Sequence, residues 1–200
     1  MERKEAIERL QKLIGKELHK LAKEFGVTIY KNGRVNKGWA GHVFERHLEL
    51  PINSAQSPNF GSWELKSIPL KYLKNGNLVF KETMAITMID PVNVKQKKFI
   101  DSHLFSKLKK ALVVVRTVGK TVDDDSFIHS IVEFDLKNEL YKAVEEDYNL
   151  VRDAIIGSGF NTLTGKMGKY IQPRTKGTGH GSITRAFYAR KEFLKEFIKL

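Results

Sequence analysis

NFGSWELKSIPL, residues 59–70, decides how this chain is read. From Trp63 to Leu70 the run is short, largely apolar and strand-like, and it carries Glu64, Leu65 and Lys66 as Glu-x-Lys. Side chains alternate along a strand, so Glu64 and Lys66 face one way and Leu65 the other. A carboxylate and an ammonium side by side over a sheet make half of a site for phosphodiester hydrolysis. A second carboxylate from a neighbouring strand or loop would complete a cage of hard oxygens for Mg²⁺. In such sites the ion polarises the phosphate and acidifies a water, and the lysine orients that water or stabilises the developing charge. Alone, the tripeptide is weak evidence, because Glu-x-Lys recurs on solvated strand faces of basic proteins.

Charge points the same way. Thirty-five Lys and Arg face 23 Asp and Glu, a formal net charge of +12. A surplus of that size favours a polyanionic partner, most often nucleic acid, although a lysine-rich solvated surface gives the same total. An anionic membrane surface fits less well, since no helix pairs a basic face with a broad aromatic one. No run reaches the eighteen or so apolar residues of a membrane span. The first segment, MERKEAIERLQKL, is charged and helical rather than a leader. Zero cysteines exclude disulfides and thiolate chemistry and fit a cytoplasmic protein. Two hundred residues make one domain, or two small lobes sharing a core. We expect a single unit over 1–200, with a catalytic lobe near 1–120 and a DNA-recognising, clamping lobe near 121–200.

Periodicity predicts an α/β (mixed) chain. Ile7, Leu10, Ile14, Leu18, Leu21 and Phe25 recur at helical spacing, predicting one helix over 2–25 stopped by Gly26. Residues 27–36 hold a short strand and an Asn32-Gly33 turn, and 37–50 a helix ended by Pro51. Asn75-Gly76 signals a hairpin, and Leu78–Ile89 reads as one strand long enough to cross a sheet. A helix over 102–110 precedes ALVVVRTV, a buried central strand. A further strand and a helix over 137–156 follow. The stretch TGKMGKYIQPRTKGTGHGS reads as a glycine- and base-rich loop, and ITRAFYAR as a strand before a terminal helix. Trp39 and Trp63 are assigned to packing, and no histidine set has convincing metal spacing.

Several blocks of the sequence, taken in order, carry a resemblance. KGWAGHVFERHL, SPNFGSWELKSIP, SHLFSKLKKALVVV, KYIQPRTKG and RAFYARKEF together resemble the MutH/Sau3AI family of DNA endonucleases, within the wider PD-(D/E)xK group. The resemblance runs from about Lys37 to the C-terminus and implies a restriction-endonuclease-like central mixed sheet flanked by helices. It assigns Glu45 as a supporting glutamate, Glu64 and Lys66 as the catalytic pair, and Lys107 as a further active-site lysine. By the same resemblance the metal would be held by residue 59, Glu64 and the backbone at Leu65. Arg174, Lys176 and Tyr188 match DNA-contacting positions. Gln172, His180 and Arg185 stand among the candidates for reading a base, because Arg, Gln and His can reach base edges.

One position departs from the pattern. Asn59, fourteen residues after Glu45, stands where the family carries aspartate. An amide oxygen can touch Mg²⁺ but brings no charge, so binding and hydrolysis should weaken. No aspartate lies between Asn32 and Ile89 to replace it. Three accounts stay open: a variant made to bind without cutting, a natural sequence using Glu45 or Glu49 instead, or a loop aligned wrongly. The expected activity is Mg²⁺-dependent, sequence-specific hydrolysis of double-stranded DNA by a type II restriction endonuclease, acting as a monomer or a DNA-induced dimer. The alternatives are a MutH-like mismatch-repair nicker stimulated by a MutL-like activator, and a non-cleaving DNA-binding module derived from a nuclease.

Overall fold

Eight residues, Lys110–Thr117, hold the molecule together. In this computed structural model, which describes residues 1–50, 58, 61–177 and 183–200, they form a strand buried on both faces. Ala111, Val113 and Val115 enter one apolar core, and Leu112 and Val114 enter another. The alternation of the strand divides an unbroken apolar run between two layers. Burying β-branched residues on both sides contributes about 1.5–3 kcal/mol per side chain before entropy is charged.

Counted along the chain, the strands are β1 (Tyr30–Lys31), β2 (Arg34–Val35), β3 (Glu64–Tyr72), β4 (Leu78–Phe80), β5 (Met84–Met88), β6 (Lys110–Thr117), β7 (Ile128–Asp135), β8 (Ile171–Thr175) and β9 (Arg185–Ala189). The helices are α1 (Arg3–Gln11), α2 (Leu18–Glu24), α3 (Trp39–His47), α4 (Pro91–Gln96), α5 (His103–Leu108), α6 (Asn138–Gly157) and α7 (Lys191–Lys195). The central sheet has the order β4-β3-β6-β7, with β3 and β6 parallel and the other pairs antiparallel. A second antiparallel sheet has the order β5-β9-β8. α1, α2 and α3 cover one face of the central sheet. The other face packs on α4 to α7 and the second sheet. The fold is mixed α/β, as the patterning predicts, and Trp39 and Trp63 are both buried. No helix among the described residues is long and apolar enough to cross a membrane.

Five details differ from the sequence reading. The helix expected over 2–25 is two helices, because Gly15 takes φ +79 and donates its N–H to the Ile128 carbonyl at 2.8 Å. Glu17 then caps α2, accepting from the backbone N–H of His19 and Lys20 at 2.8 Å each. The helix expected over 37–50 is shorter, Trp39–His47. The strand expected over 78–89 is two strands in two different sheets, separated by the polar step Lys81-Glu82-Thr83. The glycine-rich loop expected after residue 163 contains β8, and a helix, α4, was not foreseen; Asp90 caps it, accepting from Val92 and Asn93 N–H.

Candidate active site and DNA groove

Glu64 opens β3, opposite Ala111 at the start of the parallel strand β6. Its side chain points to the core face that α5 covers. Ser102 caps α5 by accepting the Phe105 N–H at 3.1 Å, which fixes where the helix begins. One turn later that helix delivers Lys107. The Lys107 ammonium donates to both Glu64 carboxylate oxygens, at 3.2 and 3.1 Å. Lys66, two residues along the strand and on the same face, lies 2.9 Å from Glu64 Oε1. It also donates to the Ile86 carbonyl on β5 at 3.1 Å. Glu64 is 2% exposed, so it is a buried carboxylate held by two ammonium groups rather than by a solvated surface pair.

The structure therefore brings Glu64, Lys66 and Lys107 together. Glu45, on α3, joins electrostatically. Burial pushes the Glu45 carboxyl above its ordinary range, His42 pulls it back, and the Glu64 carboxylate pushes it further up. A carboxyl raised by burial and by a neighbouring carboxylate is one that a bound cation would relieve. Glu49, the other acid considered as a substitute, is exposed and paired with Arg9 at 3.4 Å. Asn59 lies outside the described residues. Among the described residues, no three Asp, Glu, His or Cys side chains gather around one point. The oxygens of Glu64 and Glu45, with the Leu65 carbonyl in the strand between Glu64 and Lys66, are all hard donors. That chemistry fits a divalent ion such as Mg²⁺ better than a thiolate- or imidazole-seeking metal.

Beside this cluster runs a groove of about 1020 Å³, lined by Arg34, Lys37, Lys66, Glu82, Lys176 and Tyr188, among others. It separates the β1–β2 hairpin and the start of α3 from the second sheet. Lysines crowd it: burial and then Lys66 lower the Lys176 pKa. Arg174 stands over the Tyr188 ring at 5.4 Å and donates to Thr83 Oγ1 at 2.9 Å. Tyr188 on β9 and Lys176, just past the end of β8, line the groove, and Arg174 on β8 joins them through the Tyr188 ring rather than by lining it. Gln172 is buried, at 6% exposure. Arg185 sits over Phe160 at 5.9 Å, and neither residue is among those lining the groove. His180 lies outside the described residues.

The sequence reading passed over what positions β8. Asp147 of α6 is buried and accepts three consecutive backbone N–H groups, those of Lys169, Tyr170 and Ile171, at 2.6, 2.7 and 2.7 Å. Arg190 gathers the carbonyls of Gly165, Met167 and Gly168 at 2.7, 3.0 and 3.1 Å. Gly168 sits at φ +76, and a Cβ there would collide with the Ile171 carbonyl. No local pattern marks Asp147, since its partners lie more than twenty residues away.

A mixed sheet presenting Glu-x-Lys beside a basic groove is the arrangement of the PD-(D/E)xK nuclease class. Comparison with known proteins is more specific. The family model described as DNA mismatch repair enzyme MutH matches residues 48–147, half of the chain. The chain belongs to the MutH/Sau3AI family of DNA endonucleases. It is 26% identical over 194 residues to the DNA mismatch repair protein MutH of Vibrio campbellii, covering 96% of this chain and 84% of that protein. The type II restriction enzyme Sau3AI of Staphylococcus aureus is 26% identical over 183 residues, covering 86% of this chain but 37% of the enzyme. Among solved structures, a complex of the restriction endonuclease MvaI with its cognate DNA matches at a TM-score of 0.37 and 16% identity, over 90% of this chain and 95% of that one.

Proposed function

We propose that this protein is a Mg²⁺-dependent, site-specific endonuclease that hydrolyses phosphodiester bonds of double-stranded DNA, working as a type II restriction endonuclease. The observation that carries the reading is the buried Glu64 carboxylate gripped by Lys66 and Lys107 beside a groove rich in basic side chains. Glu64, Glu45, the Leu65 carbonyl and residue 59 would hold the ion, with Lys66 and Lys107 completing the catalytic set. Bound there, Mg²⁺ supplies Lewis acidity to the phosphate and acidifies a water.

The protein's own groups divide the remaining work. Lys107 spans both oxygens of Glu64 and so orients that carboxylate. Lys66 uses two N–H groups on Glu64 and the Ile86 carbonyl, and its third is left to donate to a phosphoryl oxygen as charge builds there. Lys176 and Tyr188, on the far wall of the groove, grip DNA together with Arg174 beside the Tyr188 ring, and Gln172, His180 and Arg185 complete the candidates for base contact. In this proposal the catalytic lobe lies near 1–120 and the clamping lobe near 121–200, with β5 crossing into the second sheet and β7 into the central one. Hydrolysis would leave 5′-phosphate and 3′-hydroxyl ends.

Charge counting gives Asn59 its meaning. Glu64 and Glu45 against Lys66 and Lys107 sum to zero, so a dication gains little there until a DNA phosphate adds negative charge. An aspartate at 59 would supply that charge in advance. Asn59→Asp should therefore raise Mg²⁺-dependent cleavage of plasmid DNA by about 10²-fold or more. If cleavage does not rise and both forms only bind, the chain is a DNA-binding module and the catalytic reading fails.

A second reading is favoured by one observation. The match to MutH proteins spans 84% of their length against 37% of Sau3AI. A MutH-like nicker would turn supercoiled plasmid into open circles and respond to a MutL-like activator. A restriction enzyme, as a monomer or a DNA-induced dimer, would release linear product without help. A cytoplasmic location follows from the proposed work on DNA.

A further inference from the structure

At the other end of β3 and β6 from Glu64, Pro69 faces Arg116. Arg116 belongs to none of the family blocks quoted above. It lines a pocket of about 160 Å³ with Trp39, Lys81, Glu82, Lys120 and Thr121. Its guanidinium stacks on the Trp39 ring at 5.8 Å and donates from Nη1 to Ser126 Oγ at 3.2 Å. That hydroxyl is itself spent on the Thr117 carbonyl at 2.8 Å. The buried Nε–H of Arg116 meets no acceptor among the described residues.

A guanidinium offers five N–H donors in a planar fork. Among the described residues, one is matched by a hydrogen-bond acceptor, Ser126 Oγ. Glu82 is near enough for its charge to be felt, yet the two form no ion pair among the described residues, and Glu82 is exposed. Asp124, which also lines the pocket, has its carboxylate engaged by the Thr121 N–H at 2.7 Å. Burial pulls the Arg116 pKa down to about 10, the mark of a cation taken from water without full compensation. Lys81 and Lys120, both exposed, stand at the rim. What the pocket lacks is a compact anion with several acceptor oxygens, and a tetrahedral phosphate matches the guanidinium fork. The pocket also adjoins the DNA groove. Glu82 lines both, and Gly38 and Trp39, consecutive in the chain, line one each.

We propose that this pocket is a phosphate-binding site, and that with DNA in the groove it takes a backbone phosphate flanking the site of cleavage. The contact with a DNA phosphate rests on the DNA-endonuclease reading; the phosphate site itself does not. Such a contact would extend the footprint without reading sequence.

Two measurements on the full chain test this, with Arg116→Met and with the double variant Lys81→Ala/Lys120→Ala, whose exposed side chains can be removed without opening the core. Thermal unfolding is compared in potassium phosphate and potassium chloride of equal ionic strength. Binding of a short duplex that fills only the groove, and of a longer one, is followed by fluorescence anisotropy against salt. The wild type should melt higher in phosphate, with the gain lost in Arg116→Met and reduced in the double variant. For the longer duplex, Arg116→Met should lower the slope of log affinity against log salt by about one, leaving the short duplex unchanged. A phosphate effect without any slope change overturns the DNA source and leaves a site for free phosphate. A phosphate effect in a chain that binds no duplex sinks the proposed function and not the pocket. A gain in phosphate equal in all three proteins is a general salt effect and overturns the site; should Arg116→Met not fold, the double variant decides alone.

Discussion

Two buried carboxylates in this molecule solve the same problem with opposite partners. Glu64 is 2% exposed and Asp147 is 5% exposed. Glu64 is neutralised by two lysine ammonium groups at the ends of long side chains, one from its own strand and one from α5. Asp147 is satisfied by three backbone N–H groups in a row, which cannot move without unmaking the start of β8. Flexible partners can give way to an incoming cation or turn to a phosphate, whereas fixed amide dipoles cannot. On the proposed function, the difference separates a carboxylate kept for chemistry from one kept for architecture, although burial alone ranks them together.

The largest expected effect tests that separation directly. In the Asn59→Asp chain, Glu64→Gln should lower the cleavage rate by about 10³-fold while the unfolding midpoint moves little, since an isosteric amide still accepts from one lysine. Plasmid cleavage and urea unfolding on one preparation check both halves. A loss of stability as large as the loss of activity would mean that Glu64 is architectural as well, and the contrast would be gone. Asp147→Ala should do the reverse. Stranding three N–H groups, that of Ile171 buried and those of Lys169 and Tyr170 partly so, should cost about 3 kcal/mol, or a melting point lower by roughly 10 °C in a chain of this length. Catalysis by the fraction still folded should persist on a short duplex.

Much of this contrast was legible in the sequence on one side only. Glu64 and Lys66 sit two residues apart on a strand, and period-two alternation is enough to put them on one face. The run Ala111–Val115, apolar throughout, announces a central strand for the same reason. Lys107 and Glu45 depended on the resemblance between blocks, because no spacing rule links α5 or α3 to β3. Asp147 was invisible, since a lone acid on an amphipathic helix reads as a solvated residue until the chain folds back twenty residues later. The same blindness hid β8 inside a glycine-rich stretch. Gly165, Gly168 and Gly177 suggest a loop, while Asp147 and Arg190 force the intervening residues into register with β9. Gly15 and Glu17 broke the first helix for a comparable reason: the Ile128 carbonyl that holds Gly15 lies on a distant strand.

Arg190 sharpens the comparison from the cationic side. It holds three carbonyls of the turn before β8, as Asp147 holds three amides. Arg190→Met keeps the stem and removes these bonds, so we expect a loss of about 2 kcal/mol, smaller than for Asp147→Ala because the turn carbonyls regain water. Hydrogen exchange should quicken at Ile171–Thr175 and leave β6 unchanged. Faster exchange across β6 would show that the second sheet and the central sheet unfold as one unit.

The smallest effect concerns a third polar contact, in which protonation sets the strength. His19 Nδ1 lies 2.6 Å from Glu17 Oε1 and Nε2 lies 2.8 Å from the Val122 carbonyl. Both partners are acceptors, so the geometry favours the doubly protonated ring, which is set against Trp39 at 4.9 Å. Burial works to lower the His19 pKa, but hydrogen bonding to Glu17 and to Val122, with the charges of Glu17 and Asp125, raises it overall. A histidine whose folded pKa exceeds its unfolded value contributes stability that is complete below the unfolded value, near 6.5, and is lost as pH rises through the folded one. Glu17 has the opposite sign. Burial would raise its pKa, but bonds from His19, Lys20 and Ser126 lower it, so its contribution fades as pH falls below its ordinary value near 4.5. The contact between α2 and the segment after β6 is therefore strongest between those two limits. His19→Gln should remove the upper slope, changing stability by about 1 kcal/mol or less because the pair is partly solvated. Urea unfolding of both proteins from pH 5 to pH 9 reads it, and an identical decline in the two would place the titrating group elsewhere.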